Sequence, residues 1–376
     1  MDEANRMIEQ GVEILKLNIG NPAPFGFKAP QELVDMMRGN LENAEGYSDS
    51  RGLLKSRQAI VEYCKKKNIP NVGVNDIYTG NGVSELITLS MNGLLDNGDE
   101  VLVPSPDYPL WTASVTLAGG KAVHYLCDEQ SNWYPDIADM RKKITDKTKG
   151  IVIINPNNPT GAVMTREDLE AIAEVIIRHD IYVLSDEIYS ELTYAGDHVS
   201  IASLPGMKER TITMNGFSKA YAMTGWRLGY ACGPREIIKQ MTKVHQFAIM
   251  CAPTNSQYAA VEALRNGDDD VIKMRESYNG RRRYLLHAFA EMGLPCFEPL
   301  GAFYAFPCIK EFGMTSDEFA SRLLKEEKVA VVPGSAFGEC GEGYLRISYA
   351  YSLEDLKKAL DRMADFVKRL KEEGSR

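Results

Sequence analysis

No Cys-x-x-Cys pair occurs in these 376 residues, and the seven cysteines (Cys64, Cys127, Cys232, Cys251, Cys296, Cys308 and Cys340) are odd in number and scattered. That spacing argues against a disulfide framework or a cysteine zinc site and is expected of a reduced, cytoplasmic protein. No apolar run approaches the ~18–20 residues that cross a bilayer. Positive charge is in deficit: 43 Lys and Arg against 52 Asp and Glu leave a net −9, which speaks against nucleic acid or an anionic membrane surface as partner. An anionic ligand therefore needs specific cationic residues to hold it. The five histidines (His124, His179, His198, His245 and His287) show no metal spacing, so no metal site is expected. Gly-x-Ser-x-Gly, His-Glu-x-x-His and the P-loop lysine motif are missing too.

What is present is a regular alternation. Between about residues 77 and 235, β-branched runs such as "DEVLVPSP", "GIVIINP", "IYVLSDE" and "TITMNGFS" alternate with helical stretches such as "SELITLSMNGLL" and "REDLEAIAEVIIRHD". Continuous apolar strands separated by helices predict an α/β fold with a mostly parallel sheet covered on both faces. Ligands of such sheets bind beyond the carboxyl ends of the strands. Four polar strand exits fall there: "TGNGVS", "NPNNPTG", "SDEIY" and "NGFSK". After about residue 275 a long charged helix, short alternating strands and a final amphipathic helix predict a smaller α+β domain, completed by the first ~40 residues. The expected division is a large domain over 46–275 and a small domain from 1–45 and 276–376. The opening "MDEANRMIEQGVEILKLN" reads as an acidic amphipathic helix running into a strand rather than a signal peptide.

Each exit carries a candidate. Glycines that leave a strand and open a helix free backbone N–H groups for a phosphate, although Gly-Asn-Gly also serves plain tight turns. Asp186 ends an apolar strand, where a buried carboxylate needs a partner, and Tyr189 lies one helical turn on. Asn158 stands in a loop stiffened by two prolines and a glycine. Lys219 follows "TITMN" with Arg227 eight residues later; desolvation and that cation lower an amine's pKa and make it a nucleophile or base, whereas a solvated surface lysine is the plain alternative.

Together these residues resemble the class I/II pyridoxal 5′-phosphate (PLP)-dependent aminotransferases of fold type I. The Lys219 segment, "GFSKAYAMTGWRLG", carries the most specific likeness. "LNIGNPAPFGF", "TGNGVSELI", "VPSPDYPLW", "NPNNPTGAV" and "SDEIY" are most similar to bacterial glutamate–pyruvate (alanine) aminotransferases. The resemblance implies that Lys219 attaches PLP and later carries the substrate's proton. Asp186 pairs with the pyridine nitrogen, Tyr189 and Asn158 meet the ring's phenolate oxygen, and Tyr108 stacks on the ring. Asn81, Gly82 and Val83 hold the phosphate with Ser218 and Arg227. Arg346, Gly20 and Asn158 take the substrate carboxylate. Tyr47 reaches the phosphate of a neighbouring subunit, so a homodimer with shared sites is expected. The implied reaction is ping-pong transfer between L-alanine/pyruvate and L-glutamate/2-oxoglutarate. Other amino acids (aromatic, branched-chain, aspartate), a cystathionine β-lyase-like C–S lyase and a non-catalytic effector domain are the alternatives. Arg51 is a candidate for the distal carboxylate of glutamate, with a solvated or interface arginine as the competing reading.

Overall fold

A computed structural model describes residues 2–23 and 26–374; Pro24 and Phe25 of "LNIGNPAPFGF" lie outside the described residues. The N-terminal part forms α1 (Asp2–Glu9), β1 (Leu15–Lys16), α2 (Gln31–Gly39) and α3 (Leu54–Lys66). There follow β2 (Ile77–Gly80), α4 (Val83–Leu94), β3 (Glu100–Ser105), α5 (Leu110–Leu117), β4 (Lys121–Asp128), β5 (Tyr134–Pro135) and α6 (Ile137–Lys143). Next come β6 (Thr148–Ile154), α7 (Arg166–His179), β7 (Tyr182–Asp186), β8 (Thr211–Gly216), β9 (Gly229–Cys232), α8 (Arg235–Ala248) and α9 (Thr254–Asn266). The C-terminal part holds α10 (Asp268–Met292), β10 (Tyr304–Ala305), α11 (Ser316–Glu327), β11 (Val329–Ala330), β12 (Val332–Pro333), β13 (Leu345–Ser348) and α12 (Leu353–Gly374).

An eight-stranded sheet in the order β2-β9-β8-β7-β6-β3-β4-β5 forms the centre. Its middle is parallel, as continuous apolar strands predict. Side chains alternate across it. Ile151, Ile153 and Val183 join Leu169 and Ile176 of α7 on one face, whereas Val152, Ile154 and Leu184 join Leu86 of α4 and Met241 of α8 on the other. Both faces are therefore dry, and polar groups are pushed to the strand ends.

β9 runs antiparallel to both β8 and β2. The connection over 217–228 has no α-helix to carry the chain across the sheet, so it folds back beside β8. Gly216 thus pairs with Gly229, and Ser218, Lys219 and Arg227 stand on one short excursion above the strand ends. Gly229 also permits the close approach of the next layer: a Cβ there would lie 2.9 Å from the Val83 nitrogen that opens α4.

A second core joins Leu15 and Leu17 to Phe289 of α10, Phe319 of α11, Ile347 of β13 and Phe366 of α12. β1 pairs with β11 in parallel, which ties the N-terminal segment to this C-terminal layer. Leu33 of α2 instead shares a cluster with Ile60 of α3 and Ala259 of α9. Among the described residues no helix is long and apolar enough to cross a membrane.

Candidate active site

A cavity of about 510 Å³ opens where the ends of β6, β7 and β8 meet the N-terminus of α4, the 18–21 segment and β13. Gly20, Val83, Tyr108, Asn158, Asp186, Tyr189, Ser218, Lys219, Arg227 and Arg346 all line it.

Asp186 is the last residue of β7, beside Ile154 of β6 and Met214 of β8. Its Oδ1 accepts the Ile188 N–H at 3.2 Å. Burial pushes this carboxyl up to about 6, against the lowering influence of the Ile188 N–H, the nearby Trp111 indole and the Lys219 charge. Trp111 is fully buried, and among the described residues its Nε1 has no hydrogen-bond partner at normal geometry.

Lys219 is part-buried and donates through Nζ to the Gly20 carbonyl at 2.9 Å. The rings of Phe303 and Tyr189 flank the ammonium at 5.4 and 5.9 Å. Desolvation lowers the amine's pKa, and the charges of Arg346 and Arg227 push in the same direction against Tyr304.

Asn158 is held by its loop. Asn157 Oδ1 accepts from the Thr160 N–H and hydroxyl, at 3.2 and 2.8 Å, and Gly161 N–H returns to the Asn157 carbonyl at 3.0 Å. The buried Asn158 amide oxygen then accepts Arg346 Nη1 at 3.0 Å. Arg346 Nη2 donates to the Asn18 carbonyl at 3.0 Å, and its Nε is buried without a partner among the described residues. The guanidinium lies over Tyr304 at 4.3 Å and Phe337 at 4.8 Å, which fixes its plane.

At the α4 end the geometry departs from the expected phosphate cradle. The Asn81 N–H donates to Glu85 Oε2 and the Gly82 N–H to the Gly80 carbonyl at 2.8 Å, so two of the three expected backbone donors already serve protein acceptors. Val83, the first residue of α4, faces the cavity together with Ser84. Gly82 adopts φ +80°, and a Cβ on it would meet Arg227 Nη2 at 2.5 Å. Arg227 is itself left-handed at φ +52° and donates to the Thr224 carbonyl at 3.0 Å and the Asn81 carbonyl at 3.3 Å.

Tyr47 lies elsewhere. It is 84% exposed and lines a separate cleft with Asn81, Ile249 and Cys251. Arg51 does not line the cavity; it forks onto Asp49, with Nε–Oδ1 3.3 Å and Nη2–Oδ2 3.1 Å, and reaches Asn75. Its candidacy as a distal-carboxylate ligand in its own subunit falls away on that geometry.

Sequence reasoning missed Tyr304. Its hydroxyl accepts from the Tyr189 hydroxyl at 3.1 Å, and a Cβ on Gly20 would sit 2.1 Å from it. The only signal is an aromatic in the alternating stretch "GAFYAF", which acquires meaning once β10 pairs with β13. Ser84, one residue into the first turn of α4, could have been found by extending the helix N-terminus argument.

Three cationic side chains and one buried carboxylate thus face one cavity in a chain of net charge −9. The family model for aminotransferase class I and II matches residues 12–363. The chain belongs to the class I and II aminotransferases. Among similar proteins, a glutamate-pyruvate aminotransferase of Haemophilus influenzae is 46% identical over 97% of this chain and 93% of its own. Aromatic-amino-acid aminotransferase 2 of Thermococcus litoralis is 43% identical over 97% of this chain and 94% of its own. A crystal structure of an aromatic aminotransferase from Pyrococcus horikoshii superposes with a TM-score of 0.93 at 42% identity, covering 98% of this chain and 99% of that one. This aminotransferase therefore has its large mixed sheet and smaller C-terminal layer in a fold shared across relatives whose names give different substrates.

Proposed function

We propose that this aminotransferase holds PLP in the 510 Å³ cavity and moves an amino group between L-alanine/pyruvate and L-glutamate/2-oxoglutarate in ping-pong fashion. The observation that carries the reading is Asp186: a buried carboxylate, raised to about 6, that no cationic side chain of the described residues reaches within ion-pair distance. Such a group lacks a cationic partner among the described residues, and a protonated ring nitrogen suits it. The rest of the cavity suits the same molecule. The opening turn of α4 at Val83 and Ser84, the Ser218 hydroxyl and Arg227 offer donors for a phosphate, Tyr108 offers a stacking face, and the Asn158 amide, with the Tyr189 hydroxyl once it turns from Tyr304, offers donors for a ring oxygen.

When bound, PLP supplies an electron sink for the pair of electrons left at the substrate's Cα. The chain's own groups do the rest. Lys219, with its amine pKa already lowered, would be the group that holds the cofactor covalently and the base that would carry a proton to and from Cα. Asp186 would hold a protonated ring nitrogen by its charge. Arg346, placed over the Tyr304 ring and braced by Asn158, would fork onto the substrate carboxylate. The 18–21 segment forms one wall of the site, with the Gly20 carbonyl 2.9 Å from Lys219 Nζ.

The alanine–glutamate pair is supported by the names of the Haemophilus influenzae relative and of an alanine aminotransferase of Mycobacterium bovis, 42% identical over 97% of this chain. Ile19, Ile188 and Val332 give the cavity apolar walls suited to the methyl group of alanine. We also propose a homodimer in which Tyr47 completes the neighbour's site, and a cytoplasmic location. A half-reaction screen of each standard amino acid, following the cofactor's absorbance, tests the assignment: alanine and glutamate should react fastest. Faster reaction of phenylalanine or tyrosine would move the enzyme to the aromatic class.

A further inference from the structure

Behind the α4 turn a part-buried carboxylate meets a fully buried imidazole, a pair that the proposed chemistry does not use. Glu85, in the first turn of α4, reaches back to accept the Asn81 N–H, and its other oxygen meets His245 Nδ1 of α8 at 3.2 Å. His245 is fully buried, stacked at a tilt on Tyr78 with ring centroids 5.3 Å apart. Its Nε2 has no partner, so Glu85 is the one hydrogen-bonding contact of the ring among the described residues. Because an ionised carboxylate only accepts, Nδ1 carries the hydrogen in this contact.

This placement is unusual for a site meant to hold an anion. A carboxylate in the first turn of a helix gains from the same positive helix end that a phosphate uses, and it repels the phosphate. It is therefore costly unless it does something the turn needs. Asn81 shows what that is: its N–H is held by Glu85 while its carbonyl is held by Arg227 Nη2 at 3.3 Å. Gly80 leaves room for the carboxylate, since a Cβ there would lie 2.9 Å from Glu85 Oε2. His245, Glu85, Asn81 and Arg227 thus form one continuous hydrogen-bonded line from α8 to the cavity wall.

We propose that Glu85 and His245 are positioning residues for the phosphate end of the cofactor site. Glu85 locks the Asn81 turn so that Arg227 and the free end of α4 face the cavity, and His245 orients the carboxylate away from the bound phosphate. The inference rests on the PLP reading above and adds residues that touch neither cofactor nor substrate.

The test is titration of PLP into the protein, first freed of cofactor by hydroxylamine and dialysis, read by cofactor absorbance and by tryptophan fluorescence. Glu85→Ala should weaken PLP binding on the order of tenfold, the effect of losing a charge-assisted hydrogen bond, whereas Glu85→Gln, which keeps an acceptor for the Asn81 N–H, should stay near the wild type. His245→Leu should weaken binding and His245→Asn, which restores a donor, should recover it; this pair reads the line from its other end if Glu85→Ala does not fold. Wild-type affinity in both Glu85→Ala and His245→Leu overturns the proposal, as does equal weakness of each conservative variant and its disruptive counterpart. Failure of the wild-type protein to bind PLP is a different outcome, which overturns the cofactor reading and this inference with it.

Discussion

Lys219 Nζ donates to the carbonyl of Gly20 across a sequence separation of 199 residues, at 2.9 Å. One hydrogen bond thereby joins the excursion between β8 and β9 to the N-terminal segment that covers the cavity. An amine that has lost most of its water needs such a partner, and a backbone carbonyl satisfies it without adding charge. Lys219→Ala should cut amino-group transfer by at least ~10²-fold while PLP still binds without covalent attachment. Retained alanine–2-oxoglutarate exchange in that variant would remove Lys219 from the chemistry.

Gly20 is the other half of that contact. A Cβ at this position would approach the Tyr304 hydroxyl to 2.1 Å and Phe303 Cε2 to 2.6 Å, and neither ring has room to withdraw from the core. Gly20→Ala should lift the segment off the site, at a cost of about 1–3 kcal/mol, and raise KM for both amino and 2-oxo acids. Steady-state kinetics with an unchanged KM would show that the segment does not touch substrate.

Asp186 makes a prediction about pH. Its folded-state pKa is raised from 3.8 to about 6, so without cofactor the folded state favours the protonated carboxyl. The resulting destabilisation is absent below about pH 4, grows between about 4 and 6, and is complete above that, at an order of 2–3 kcal/mol. Asp186→Asn should therefore stabilise the cofactor-free protein at pH 8 and leave it unchanged at the acid end. With PLP bound the sign should reverse, because the wild-type carboxylate then has its cationic partner. Melting curves of both proteins across this range, with and without PLP, check it; equal Tm values at pH 8 without cofactor would refute the argument.

The elements that sequence reasoning reached are those with local causes. Continuous apolar runs make buried parallel strands, and their polar ends, Asp186 and the Asn158 loop, follow from the same dryness. What escaped depends on pairings between distant segments. The reversal of β9 is decided by the lack of a crossover helix, and Tyr304 gains its place only through the pairing of β10 with β13. The commitments of the Asn81 and Gly82 N–H groups are set by Glu85 and by the turn itself, which spacing alone does not reveal.

Arg346 is braced by Asn158 and the Asn18 carbonyl and sits over the Tyr304 ring, so its orientation exists before substrate arrives. Arg346→Lys keeps the charge but loses the planar fork. KM should rise roughly 10- to 100-fold, in line with about 1.5–3 kcal/mol for a charge-assisted hydrogen bond, with a smaller change in kcat. An equal fall in kcat at unchanged KM would place the residue's influence at the chemical step instead.

Tyr47 is 84% exposed, and the cleft it lines with Asn81 and Ile249 is distinct from the Lys219 cavity. Its proposed role needs a second copy of the chain. Tyr47→Ala homodimers should bind PLP more weakly, and Lys219→Ala homodimers should be inactive. After subunit exchange, a mixed dimer contains one site with Lys219 from the first chain and Tyr47 from the second. Activity at limiting PLP should therefore rise above that of either parent. If differently tagged subunits are shown to exchange and no gain appears, Tyr47 acts within its own subunit or not at all.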